Sequence, residues 1–237
     1  MRPGAARTSF RTAVRTAHAA VALVVLFGLV VQVAVVVAGG QDANSGDTTA
    51  ALGLGERLGN LFSYFTILSN ILVMTTSALF ALRPERDGRL FRVLHLDALL
   101  SIAATGVVFA AVLAPIVHVT GWAAVANAVF HYLVPVAFPL VWLLFGPRPR
   151  LTWGVVALAF AWPVAWLGYT FVRGAVTGWY PYPFLDVTEL GFGRALAGGL
   201  VVLLGAAVLA VVVKALDARL PALGAAPPRR RAPTRTR

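Results

Sequence analysis

Residues 17–38 read AHAAVALVVLFGLVVQVAVVVA, a run without a single Asp, Glu, Lys or Arg. A hydrocarbon core of ~30 Å asks for roughly 17 to 25 such residues as a helix, and this run meets that length. Arg2, Arg7, Arg11 and Arg15 precede it, as in the start of a signal peptide. Its apolar part exceeds the ~7 to 15 residues of a signal core, so we read a retained membrane helix. Five further runs of the same kind lie near 61–82, 93–115, 123–145, 151–173 and 194–214. They are apolar on nearly every side instead of alternating with period two, which excludes barrel strands and predicts helices.

The composition agrees with that reading. Of 237 residues, 59% are hydrophobic and 12% charged, with a mean hydropathy of +0.81; soluble domains carry about 25% charged residues. An ordinary soluble globule is excluded, and so is a disordered chain, which is poor in hydrophobic residues. Cysteine is absent, which excludes disulfides, thiol catalysis and Cys-ligated metals. The expected fold is all-α and polytopic with six transmembrane helices. It divides into a basic N-terminus at 1–16, a membrane domain at 17–214 and a basic tail at 215–237.

The net charge of +11 is explained by where the charges fall. Counting Lys and Arg in short loops beside the spans, all but Arg57, Arg173 and Arg194 of the 20 basic residues fall on one side. Both termini are therefore expected in the cytoplasm, in keeping with an even number of spans. Such arginines also attract anionic headgroups at about 1 kcal/mol each, so membrane lipids are the expected partners. Nucleic acid is not, because the stretch from Pro221 to Arg237 interleaves no aromatics with its arginines. That stretch reads as disordered and apposed to the membrane. Lys214 is the single lysine amid abundant Ala, Val and Gly. This composition suggests a GC-rich bacterial genome, and hence a multi-pass protein of a bacterial plasma membrane.

Polar side chains inside hydrocarbon are costly, so they are the natural place to look for function. In the second run Ser63, Thr66, Asn70 and Ser77 share one stripe, with Ser69 beside them. Helix-to-helix hydrogen bonding is one explanation of such a stripe. In the fourth run Asn127, His131, Pro135 and Pro139 recur every four residues. Pro135 lacks the N–H that would bond the carbonyl of His131, which predicts a kink at the histidine. At 1.5 Å per residue, Thr66 lies ~8 Å and His131 ~12 Å below the outer helix starts. At that matched depth a Thr66 hydroxyl is placed to act as nucleophile with the His131 imidazole taking its proton.

The last outer loop, Thr177 to Asp186, alternates Trp179, Tyr180 and Tyr182 with prolines, which suggests a stiff lid across the outer mouth. Asp186 and Glu189 are candidates to orient the histidine, and Arg173 reads as a snorkelling arginine. His18 and His118 read as interfacial. Asp97, Ser101 and Thr105 share a face that reads as packing or a proton path. Four scattered histidines without HExxH spacing, and no GxSxG or phosphate-binding loop, lead us to expect neither metal nor cofactor.

Three segments together carry a resemblance. Tyr64-Phe65-Thr66-Ile67-Leu68-Ser69-Asn70, Asn127-x-x-x-His131-x-x-x-Pro135 and Thr177-Gly178-Trp179-Tyr180-x-x-Pro183-Phe184-Leu185 resemble the androgen-induced protein family. That family includes the androgen-dependent TFPI-regulating proteins and many bacterial integral membrane proteins. The likeness covers roughly residues 61 to 190. It implies a multispan fold and, for the animal members, hydrolysis of fatty acid esters of hydroxy fatty acids by an intramembrane threonine and histidine, which fall here on Thr66 and His131. Two positions depart from the pattern: Ala128 stands where animal members have a second histidine, and Ser69 replaces a larger polar residue. Ser69, Asn70, Asn127, Trp179 and Tyr180 are the expected substrate-binding residues. Two functions are then in view: a hydrolase of lipid-like esters, or a non-catalytic binding or transport protein using the same polar stripe.

Overall fold

The computed structural model describes residues 3–221, with side chains from Thr8 onward. All regular structure among them is helical, apart from one antiparallel bridge between Gln41 and Thr48. Six helices are long and apolar enough to cross a membrane: α1 (Thr8–Val37), α2 (Phe65–Leu82), α3 (Arg89–Leu113), α4 (Gly121–Phe145), α5 (Trp153–Thr177) and α6 (Phe192–Arg219). The shortest has 18 residues, or about 27 Å of helix. The protein is thus an all-α polytopic protein with outward faces made of residues such as Leu23, Val30, Val201 and Leu204.

Helices α1 to α4 pack into the central bundle, and α5 and α6 lie against α3. Over half of the α3 span is buried, 56%, against 17% for α6, so α3 is the axis of the fold. The basic loops meet on one face. Arg11 pairs with Glu85, and Arg92 and Arg150 both reach Asp87. The hydrogen-bonded Arg92 guanidinium holds the Asp87 carboxyl well below the usual carboxylate range. Asp217, near the end of α6, accepts the backbone N–H groups of Arg150 and Leu151. Both ends of the bundle therefore lie on one face, the arginine-rich one that charge assigns to the cytoplasm.

Several boundaries differ from the sequence reading, each for a visible reason. The first helix begins at Pro3, so most of the stretch read as a basic terminus is helix, with Arg15 Nε donating to the carbonyl of Ala81 at the end of α2. His18 consequently lies inside the bundle, 1% exposed and stacked on Phe80, instead of at an interface. At the other end α6 runs to Arg219, so residues 215–219 belong to it. The rest of the basic tail, from 222 onward, lies outside the described residues.

The second span is shorter than expected. A separate helix, Leu54–Leu61, precedes it, and the chain turns through Phe62–Tyr64 before α2 begins. Ser63 makes that turn: its hydroxyl bonds the Gly59 carbonyl and the Tyr169 hydroxyl, and its own carbonyl accepts from Trp166 Nε1. Ser63 is thus a corner residue bound to α5, and only Thr66, Asn70 and Ser77 of the stripe belong to the span.

The loop from α1 to the short helix is tied down by side chains. Arg57 donates to the carbonyls of Val36 and Val37, closing the end of α1, and to those of Ala50 and Leu52. Orphan carbonyls at a helix end need such partners when they are enclosed. Gln41 bonds Thr120 and the carbonyls of Gly46 and His118, which joins this loop to the start of α4.

Candidate functional site

Pro135 has the effect that its chemistry requires. It cannot donate to the carbonyl of His131, and α4 accommodates the gap with a π-helical turn at Val129–Leu133, closed by Val134 N–H donating to Val129. The expected kink is this widened turn. A glycine on α3 makes room for the proline ring: a Cβ at Gly106 would stand 2.6 Å from Pro135 Cβ. α3 has its own π-helical turn at Phe109–Leu113, and the Phe109 ring stacks on His131 with centroids 3.9 Å apart.

His131 is 3% exposed and has a partner at each nitrogen. Nε2 lies 3.4 Å from Thr66 Oγ1. Nδ1 lies 3.1 Å from Asn127 Nδ2, the same atom that donates to the Ala43 carbonyl at 2.7 Å. An amide nitrogen donates and never accepts, so Nδ1 is the acceptor and the ring hydrogen sits on Nε2, facing Thr66. Turning the amide over would set its oxygen against the Ala43 carbonyl.

Thr66 stands in the first turn of α2, where backbone N–H groups lack helical partners. Its own N–H donates to the Tyr182 hydroxyl at 3.2 Å, and that hydroxyl is also 3.2 Å from Thr66 Oγ1. Burial pushes the Tyr182 phenol up to about 12, partly offset by its hydrogen bonds to Thr66. Tyr182 is therefore a hydrogen-bond donor throughout the physiological range. Asn70 donates to the carbonyl of Thr66 at 2.9 Å, while the Ser69 hydroxyl is enclosed without a partner among the described residues.

Thr66 and Tyr182 open onto an apolar cavity bounded by α3, α5 and α6. Its walls include Phe65, Val108, Trp166, Leu167, Val202 and Leu203. Helices α5 and α6 make little direct contact with each other, and Pro163, Val202 and Leu203 between them are only half-buried. The cavity is thus reached from the lipid side.

Of the residues singled out from sequence, Thr66, His131, Asn127 and Asn70 come together. Asn127 holds the histidine and a loop carbonyl, and Asn70 braces the backbone under Thr66. Trp179 and Tyr180 have other duties. Trp179 packs edge-on to Tyr64 beneath the Arg173 guanidinium, 4.8 Å away, and Tyr180 lies over Gly174. Arg173 bonds Asn60 Oδ1, so it ties the end of α5 to the short helix Leu54–Leu61. Asp186 caps the single turn Val187–Leu190 and accepts from Thr188 and Glu189. Tyr182 was present in the quoted loop but unmarked by any spacing. Asp42 was missed as well: it is buried on the outer face, with Asn44 donating to it, and burial raises its carboxyl above the usual range.

Among the described residues no group of three His, Cys, Asp or Glu is placed to hold a metal ion. Comparison with protein-family models, with curated proteins and with solved structures gave no match.

Proposed function

We propose that the protein is an intramembrane hydrolase of lipid-like esters, with Thr66 as nucleophile and His131 as general base. The observation that carries this reading is the contact of Thr66 Oγ1 with His131 Nε2, both enclosed, with Thr66 at the wall of an apolar cavity that opens between α5 and α6. The resemblance of its three short segments to the androgen-induced protein family supports it. An ester chain fills the cavity and brings its carbonyl to Thr66. The Thr66 proton passes to His131 Nε2 as Oγ1 bonds the carbonyl carbon. Tyr182 donates its O–H to the oxyanion, a contribution of the kind that removal experiments value at about 100-fold or more. Collapse expels the alkoxide, which takes the proton from His131. Water then cleaves the acyl-threonine, with His131 as base again.

One observation favours a second reading, a non-catalytic binding or transport site. With Asn127 donating to Nδ1, His131 presents N–H to Thr66 and is the donor of the pair. General-base action needs the other tautomer, with the Asn127 amide turned and its bond to Ala43 given up.

Labelling of membranes with a fluorophosphonate probe separates the two. The hydrolase reading expects a labelled band that Thr66→Ala and His131→Ala both abolish in protein that remains folded. Absence of labelling in folded wild type overturns it in favour of binding or transport.

A further inference from the structure

The cleft that starts at Thr66 does not end as an apolar cavity. Along α3, Asp97, Ser101, Ala104, Thr105 and Val108 fall on one face of the helix. Ala104, Thr105 and Val108 line the cavity beside Thr66. Asp97, Ser101 and the same Ala104 line an adjoining space, which also shares Phe65, Pro163, Val202 and Leu203 with it. The two spaces form one cleft between α3, α5 and α6. Thr66 and Tyr182 stand at one end, and Asp97 lies toward the other, about 12 Å along α3 from Thr105.

Asp97 is an unusual residue to find there. It is 4% exposed, well inside the span, and no described residue hydrogen-bonds or ion-pairs with it. The remaining walls of its end are apolar apart from Ser101. A carboxyl held in hydrocarbon without a protein partner is costly, and such residues mark the paths of ligands. A purely apolar chain filling the cleft would leave Asp97 unpaired. A second carboxylate would set acid against acid.

We propose that Asp97 is the anchor for a cationic, hydrogen-bond-donating group, an amine, at the far end of an alkyl chain whose ester lies at Thr66. The inference rests on the ester reading for the Thr66 end only. The class of ligand is therefore an amino-terminated long-chain ester. Discrimination comes from the charge-assisted hydrogen bond at Asp97, which a plain chain cannot make and which an ionised acidic chain opposes by like charge.

The test uses the full-length protein in lipid nanodiscs with three probes: ethyl ω-aminododecanoate, ethyl dodecanoate and monoethyl dodecanedioate. Binding is titrated calorimetrically in a Thr66→Ala background so that the esters persist, and hydrolysis is followed separately with Thr66 intact. The amino ester is expected to bind at least about tenfold more tightly than the plain ester, with the acidic ester weakest. Asp97→Leu is expected to erase that order, and Asp97→Asn, which keeps shape and hydrogen bonding but not charge, to reduce it. Equal binding of the three esters, or an amine preference that survives in folded Asp97→Leu and Asp97→Asn, overturns the proposal. Amine preference without hydrolysis removes the ester chemistry at Thr66 and leaves the Asp97 anchor standing.

Discussion

Three histidines lie enclosed in this bundle, and two of them, His131 and His95, have surroundings that differ in kind. His131, in the outer half, has Asn127 at one nitrogen and Thr66 at the other, and stands beside a cavity. His95, toward the basic face, has neither ring nitrogen bonded to any described residue. It is wrapped instead by the rings of Phe80, Phe138 and Phe91, with His18 nearby. One ring is held by directional bonds that fix its tautomer and aim it; the other is used as an aromatic surface. Burial of a histidine is thus a poor sign of function, and what its nitrogens touch is a better one.

The strongest way to break this contrast is activity. Thr66→Ala and His131→Ala are each expected to lower ester turnover by about a million-fold, as for other nucleophile and base pairs, while His95→Phe leaves it unchanged. Turnover that survives Thr66→Ala ends the assignment. Tyr182→Phe keeps the ring packed against Tyr64 and Phe184 but removes the donor, and a fall of about 100-fold in kcat is expected. Stability sharpens the comparison further. His131→Phe takes one hydrogen bond from each of Asn127 and Thr66 and is expected to cost about 1–3 kcal/mol, read as a lower Tm in detergent. His95→Phe strands nothing, so its Tm should match or exceed the parent; a comparable loss for both would show that the two rings are equivalent after all.

A smaller effect concerns the loop that supports Asn127. Asp42 has its carboxyl raised by burial, so the folded state favours its protonated form. Stability is then full below the ordinary carboxylate range and is lost as pH rises through the raised value. Asp42→Asn removes that loss. Its Tm should exceed the parent's at neutral pH and converge with it near pH ~4. Parallel curves at all pH values would show that Asp42 is not held in its acid form.

The membrane class and the six spans were legible because hydrocarbon tolerates only long apolar helices, a constraint that each run satisfies on its own. Thr66 and His131 were legible for a related reason: depth in a helix follows from counting residues. Asn127 to His131 is a spacing of four, and that too can be counted. Tyr182 was not legible, since its hydroxyl meets Thr66 by the path of a loop, and alternation of aromatics with prolines does not say which ring turns inward. Ser63 was misplaced because apolar character continues through Phe62 and Tyr64 while the backbone turns. The tautomer of His131 depends on the Ala43 carbonyl, delivered by a distant loop that no local pattern connects to it.

The segment carrying Tyr182 is seated on α6 backbone to backbone: a Cβ at Gly198 would stand 2.6 Å from the Phe184 carbonyl oxygen. α6 is also the outer wall of the cleft. The wall of the cleft and the segment that carries the hydroxyl donor therefore meet with no side chain between them, and any larger residue at 198 would have to push one off the other.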